Sequence, residues 1–176
     1  YLVLSNPNKN EFSHNVMLQA LKNTDNRIKN DQSVTPGFLL AALLWPTLIS
    51  RCTKNNEINI KKFFRSMDGV LREQQKLTAV PRKFNSYIKD IWVLQLKLHS
   101  RIKSQPYKTI RHPRFRAAYD FLLVREQASS DKNGLGKWWT DFQKNDDSLR
   151  GSLIARMNEK SDVDSSKIFG FYNELR

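Results

Sequence analysis

Apolar residues in this chain recur three or four positions apart almost from end to end, and glycine and proline, which interrupt such a rhythm, number only six each. That spacing returns to one side of a 3.6-residue helix, so an all-α fold is expected. No alternating strand pattern competes. The 176 residues suffice for a single compact domain with a substantial core and are too few for two ordinary ones. About six or seven helices are expected.

Their faces can be read in order. Phe12, Val16 and Ala20 make one stripe over residues 12–29, which Asn30-Asp31-Gln32-Ser33 ends. Thr35-Pro36 reads as the N-cap and first residue of a helix apolar all round through Leu44, the buried centre, and Pro46 predicts a kink or break before Leu48 and Ile49 resume it. Over residues 59–77, Phe63, Phe64, Met67, Val70, Leu71 and Gln74 lie opposite Lys61, Lys62, Arg65, Arg72 and Lys76. Asp68 and Glu73 border that cationic side, and Asp68 is expected to pair with Arg72 one turn on.

Pro81 opens a helix expected to run to about residue 103. Phe84, Ile88, Ile91, Trp92, Gln95, Leu98 and Ile102 share one arc, and Arg82, Lys83, Lys89, Lys97 and Arg101 share the other. Asp90 is the one acid among them, so this stripe is the better candidate for a polyanion contact. A loop over 104–112 carries Lys108 and Arg111, and Pro113 starts a helix to about residue 128. Its apolar stripe leaves Arg114 and Arg125 on a common side, with Arg116 and Asp120 as a self-neutralising i, i+4 pair. His112 fits a capping residue. Leu135, Trp138, Trp139 and Phe142 have core spacing, which suits the double tryptophan better than base stacking. The helical domain is expected over residues 1–145. Residues 146–176 read as a polar, loosely ordered tail, with an apolar end patch at Ile168, Phe169, Phe171 and Tyr172.

Thirty Lys and Arg against 17 Asp and Glu give a formal net charge of +13, which favours a polyanionic partner. The charge is uneven. Residues 1–50 carry four basic and three acidic side chains, 51–96 ten and four, 97–125 eight and one, and 126–176 eight and nine. The polyanion surface is therefore expected from residues 51–125. Cys52 is the single cysteine, which excludes an intrachain disulfide, and His14, His99 and His112 are too scattered for a zinc site. The longest apolar run, residues 38–45, is too short to span a bilayer, and no signal peptide opens the chain, so an intracellular, cytoplasmic protein is expected. Tyr1 in place of Met and the apolar stub behind it suggest a piece of a longer chain. Phosphoryl transfer needs clustered carboxylates for magnesium, and the pairs Asp25 and Asp31, Asp146 and Asp147, and Asp162 and Asp164 lack the neighbouring strand or glycine loop. No catalytic, metal or cofactor residue is therefore assigned.

Specific strings add to this reading. Lys22-Asn23-Thr24-Asp25-Asn26-Arg27-Ile28 and Val34-Thr35-Pro36-Gly37-Phe38 through Trp45 resemble the body region of bacterial poly(A) polymerases. So do Pro81-Arg82-Lys83-Phe84, Asp90-Ile91-Trp92-Val93-Leu94-Gln95-Leu96 with Arg101, His112-Pro113-Arg114-Phe115-Arg116-Ala117-Ala118-Tyr119-Asp120 with Arg125, and Lys137-Trp138-Trp139 before Phe142-Gln143, in the same order. The resemblance covers about residues 12–143. It implies a helical body behind a nucleotidyltransferase head, in a superfamily that includes the CCA-adding enzymes. By that resemblance the head supplies the metal-binding carboxylates, with ATP and Mg²⁺, and none of its motifs has a counterpart here. Relatives often carry an Arg-rich tail, whereas residues 144–176 are charge-balanced.

The expectation is an RNA-binding C-terminal part of a poly(A) polymerase, itself non-catalytic, which guides single-stranded RNA 3′ ends towards an absent head for template-independent AMP addition. Its implied phosphate contacts are Arg82, Lys83, Lys89, Lys97, Arg101, Arg111, Arg114 and Arg125. Two alternatives stay open: a helical interaction domain docking an acidic partner of RNA decay, and the body of a CCA-adding enzyme that binds transfer RNA.

Overall fold

A computed structural model describes residues 10–54, 57–78, 81–128 and 134–161. Eight helices follow one another among these residues: α1 (Asn10–Lys29), α2 (Pro36–Cys52), α3 (Ile60–Leu77), α4 (Phe84–Leu98), α5 (Gln105–Ile110), α6 (Phe115–Ala128), α7 (Leu135–Lys144) and α8 (Asp147–Ser161). The fold is all-α, and its eight described helices are slightly more than the six or seven expected. The one β-pairing described joins α2 to α3, where β1 (Thr53–Lys54) runs antiparallel to β2 (Glu57–Ile58). Two residues a side are too few for an alternating pattern to register.

α2 is the central helix. Ala41, Ala42, Leu44, Trp45 and Leu48 are buried on several of its sides, and it packs against α1, α3 and α4. It runs through Pro46 to Cys52 without the expected break. Proline removes one backbone bond, and burial of Trp45 and Leu48 on the flanking turns outweighs that loss. Trp45 meets Phe121 edge-on at 5.6 Å and Phe63 at 6.2 Å. Asn59 caps α3 by accepting a bond from the Lys62 N–H at 2.9 Å.

A second core gathers Leu94, Leu98, Phe115, Leu122, Trp139 and Phe142. Both α4 and α6 feed the two cores, since Ile88, Trp92, Phe121 and Val124 belong to the first. Trp138 and Trp139 are buried, as their spacing predicts. Trp139 donates from Nε1 to the Leu98 carbonyl at 2.9 Å.

Three further expectations need correction. α4 ends at Leu98 rather than near residue 103. The Trp139 indole occupies a carbonyl of its last turn, and the chain then reverses through Lys103 at φ 51°. The loop over 104–112 contains the six-residue α5, which Pro106 opens and which is too short to show a period. Residues 147–161 form α8 instead of a loosely ordered run. Asp146 caps it, accepting the Leu149 N–H at 3.0 Å, and Ile154 is buried with Leu153 and Met157 packed beside it. The apolar patch at residues 168–172 and the Asp162/Asp164 pair lie outside the described residues.

Candidate nucleic-acid interface

The starts of α2, α4 and α6 lie close together. None has an acidic residue in its first turn, so the three helix starts carry their partial positive charge without an anion of their own, although the preceding turns already take the Phe38, Phe84, Asn85 and Phe115 N–H groups. Their closeness is set by small contacts. Tyr87, one turn into α4, lies so near Gly37 that a Cβ there would stand 2.8 Å from the ring. Only glycine at this position lets the two helix starts approach. Arg114, just ahead of α6, places its Cζ 4.8 Å from the centre of the same ring. His112 holds that approach, its Nδ1 accepting the Arg114 N–H at 3.1 Å. The Thr35 side chain makes no cap bond to α2.

Cations crowd these starts. Arg82 and Lys83 occupy the exposed turn before α4, with Lys83 Nζ 5.4 Å from the Phe84 ring, and Arg111 is exposed at the end of α5. The last turn of α3 joins them through Gln75 Nε2, which donates to Asn85 Oδ1 at 3.0 Å.

Between α1, α2 and α6 lies a cleft of ≈ 220 Å³, lined in part by Arg27, Thr35, Phe38, Tyr87, Arg114, Arg116 and Asp120. Arg27 donates from Nε and Nη2 to the Ser33 carbonyl, each at 3.2 Å, and its Nη1 stands 3.9 Å from Asp120 Oδ2. Arg116 Nε stands 3.1 Å from Asp120 Oδ1. Burial pushes the Asp120 carboxyl above the usual aspartate value, opposed by the Arg116 and Arg27 charges. Three of the strings that carry the resemblance, residues 22–28, 34–45 and 112–120, meet here.

The eight cations expected to touch phosphate separate into distinct environments. Arg82, Lys83, Arg111 and Arg114 are exposed at the convergent helix starts. Lys89 is instead paired with Asp68 of α3, Nζ to Oδ1 at 2.5 Å, and Lys97 is half-buried in the last turn of α4. Arg101 lies beyond the helix, its guanidinium 5.9 Å from the Trp138 ring, and burial lowers its pKa. Arg125 turns inward rather than sharing an outer face with Arg114. Its Nη1 donates to Gln95 Oε1 at 2.9 Å, its Cζ sits 4.6 Å from the Trp45 ring, and burial lowers its pKa to about 10. The two arginines share a side of α6, but α2 and α4 cover that side beyond the first turns.

The α3 stripe gains by the same rearrangement. Asp68 pairs with Lys89, not with the Arg72 guanidinium, and Arg72 Nε donates to the Asp68 carbonyl at 3.4 Å. Glu73 binds Arg51 of α2 through two bonds of 2.8 and 2.5 Å. Both acids are thus drawn off by neighbouring helices, leaving Lys62, Arg65, Arg72 and Lys76 exposed along α3. The expected i, i+4 pair of Arg116 and Asp120 forms. Sequence reasoning missed Arg27 and Tyr87 beside it, since Arg27 lies in the nearly neutral first fifty residues.

Among the described residues no three His, Cys, Asp or Glu side chains are placed to hold a metal ion. No helix among them is long and apolar enough to cross a membrane.

Residues 55–167 match the family described as the polymerase A arginine-rich C-terminus. Poly(A) polymerase I of Salmonella typhi is 37% identical over 134 residues, which cover 73% of this chain and 29% of the relative. The protein of the same name from Escherichia coli is 34% identical over 82% of this chain and 32% of its own length. That of Haemophilus influenzae is 31% identical over 83% and 33%. The chain spans about a third of the length of the curated relatives it matches.

Proposed function

Since the chain belongs to the polymerase A arginine-rich C-terminus family, we propose that it is the RNA-binding part of a poly(A) polymerase, guiding single-stranded 3′ ends to a nucleotidyltransferase head for AMP addition from ATP. The observation that carries this reading is the convergence of three acid-free helix starts with Arg82, Lys83, Arg111 and Arg114. Such a cluster attracts phosphate through both fixed dipoles and mobile cations. The exposed cations of α3 continue it through the Gln75 to Asn85 bond. Magnesium and ATP belong, on this proposal, to the head.

Titrating labelled oligo(A) against the chain at several salt concentrations tests the reading. A slope of log K against log salt near −4 is expected, which corresponds to about six phosphate contacts at roughly 0.7 each. Transfer RNA should compete no better than oligo(A) of equal charge. Absence of salt-dependent oligo(A) binding would overturn the proposal.

A further inference from the structure

Resting on the RNA reading above, we propose that the cleft between α1, α2 and α6 is a one-nucleotide subsite in which Asp120 selects bases that present an amino donor on their major-groove edge, adenine and cytosine, over uracil, which presents a carbonyl there.

Asp120 is out of place in a cleft that serves phosphate alone. It is the single acid among the lining residues, and its side chain is only 19% exposed. A carboxylate there repels a phosphate and costs desolvation, a cost that the Arg116 and Arg27 guanidinium groups offset in part, and it can also accept from a ligand that brings a donor. Arg116 takes part of its acceptor capacity at 3.1 Å, and Arg27 stands off at 3.9 Å. A carboxylate offers about four lone-pair positions, which leaves room for one more donor. The amino groups of adenine and cytosine supply it, while uracil offers a carbonyl at that edge.

The rest of the cleft suits the remainder of a nucleotide. Its ≈ 220 Å³ falls below the roughly 300–1,000 Å³ of sites that enclose a whole small ligand, as a site for one unit of a longer chain should. Arg114, set over Tyr87, offers a guanidinium plane on which a base can stack. The Arg116 guanidinium, whose Nη groups are not used on Asp120, remains for the phosphate.

The test measures binding of short homopolymers of A, C and U, and of free AMP, to the 176-residue chain. The wild type should bind the A and C oligomers about five- to tenfold more tightly than U. Asp120→Asn should bring all three within about twofold, by weakening A and C while U holds. Free AMP should bind more weakly than the A oligomer; equal affinity would overturn the assignment to an RNA chain. Equal binding of all three homopolymers by the wild type, or a preference that survives Asp120→Asn, would overturn the subsite and leave the RNA reading standing. No binding to any oligomer would overturn both. Should Asp120→Asn not fold, the Arg116 Nε–H resonance of the wild type decides: it should shift with the A oligomer and stay with U.

Discussion

Arg125 and Glu73 show how a charge counted as surface becomes structural. Arg125 supplies a donor to Gln95, whose own amide donates to the Ala118 carbonyl at 2.9 Å, so the guanidinium closes a buried network beneath Trp45. Arg125→Ala should cost about 1–3 kcal/mol through the orphaned Gln95 oxygen, lowering Tm by about 3–10 °C. The salt slope of oligo(A) binding should stay unchanged in thermal and fluorescence titrations, whereas loss of a phosphate contact removes roughly 0.7. For Glu73, the bidentate bond from Arg51 holds the carboxyl below the usual glutamate range. A carboxyl lowered on folding contributes stability above its unfolded pKa and loses it as pH falls through the folded value. Glu73→Gln should therefore cost about 0.2–1 kcal/mol at pH 7, as exposed pairs do. The difference from wild type should close as pH falls below about 4, measured by urea unfolding at a series of pH values.

At the scale of the helix, a basic stripe is defined by what the neighbouring helix brings to it. Read alone, the α4 stripe looks dominant, because its single nearby acid is Asp90 while Asp68 and Glu73 interrupt α3. Packing reverses that order. α4 ends early, losing Arg101 from the stripe, and surrenders Lys89 to Asp68. Arg65→Ala with Arg72→Ala should flatten the oligo(A) salt slope by about 1.4, the loss of two single-strand contacts. Lys89→Ala with Lys97→Ala should flatten it by less than half as much. Equal effects in the titration, with folding checked by circular dichroism, would mean that the Lys89 pair opens to admit RNA.

The whole molecule is bound together because α4 and α6 each contribute to both cores. α8 closes the second core from outside. Besides Ile154, its Arg150 donates from Nε to the Phe142 carbonyl at 2.8 Å and sits 5.4 Å from the Phe142 ring. Truncation after Asn145 should thus expose Phe142 and lower Tm by about 5–12 °C, for a loss of roughly 2–4 kcal/mol. Calorimetry should still record one transition, since the shared helices couple the cores. Ile154→Ala should reproduce about half the shift.

Helix type and core faces were legible in the sequence because both depend on spacing within a few turns of one segment. The apolar arcs of α3, α6 and α7, the Thr35-Pro36 start of α2 and the buried tryptophans are all of this kind. So was the location of excess charge between residues 51 and 125. The structure alone determined where α4 stops, since the indole that meets its last turn comes from Trp139, 41 residues from Leu98 in the chain. It determined which cations remain free to face solvent, because Asp68 and Glu73 chose partners on other helices, 21 and 22 residues away. The cleft belongs to the same class. Arg27, Tyr87 and Asp120 come from three separate helices, and no periodicity within any of them encodes that they meet.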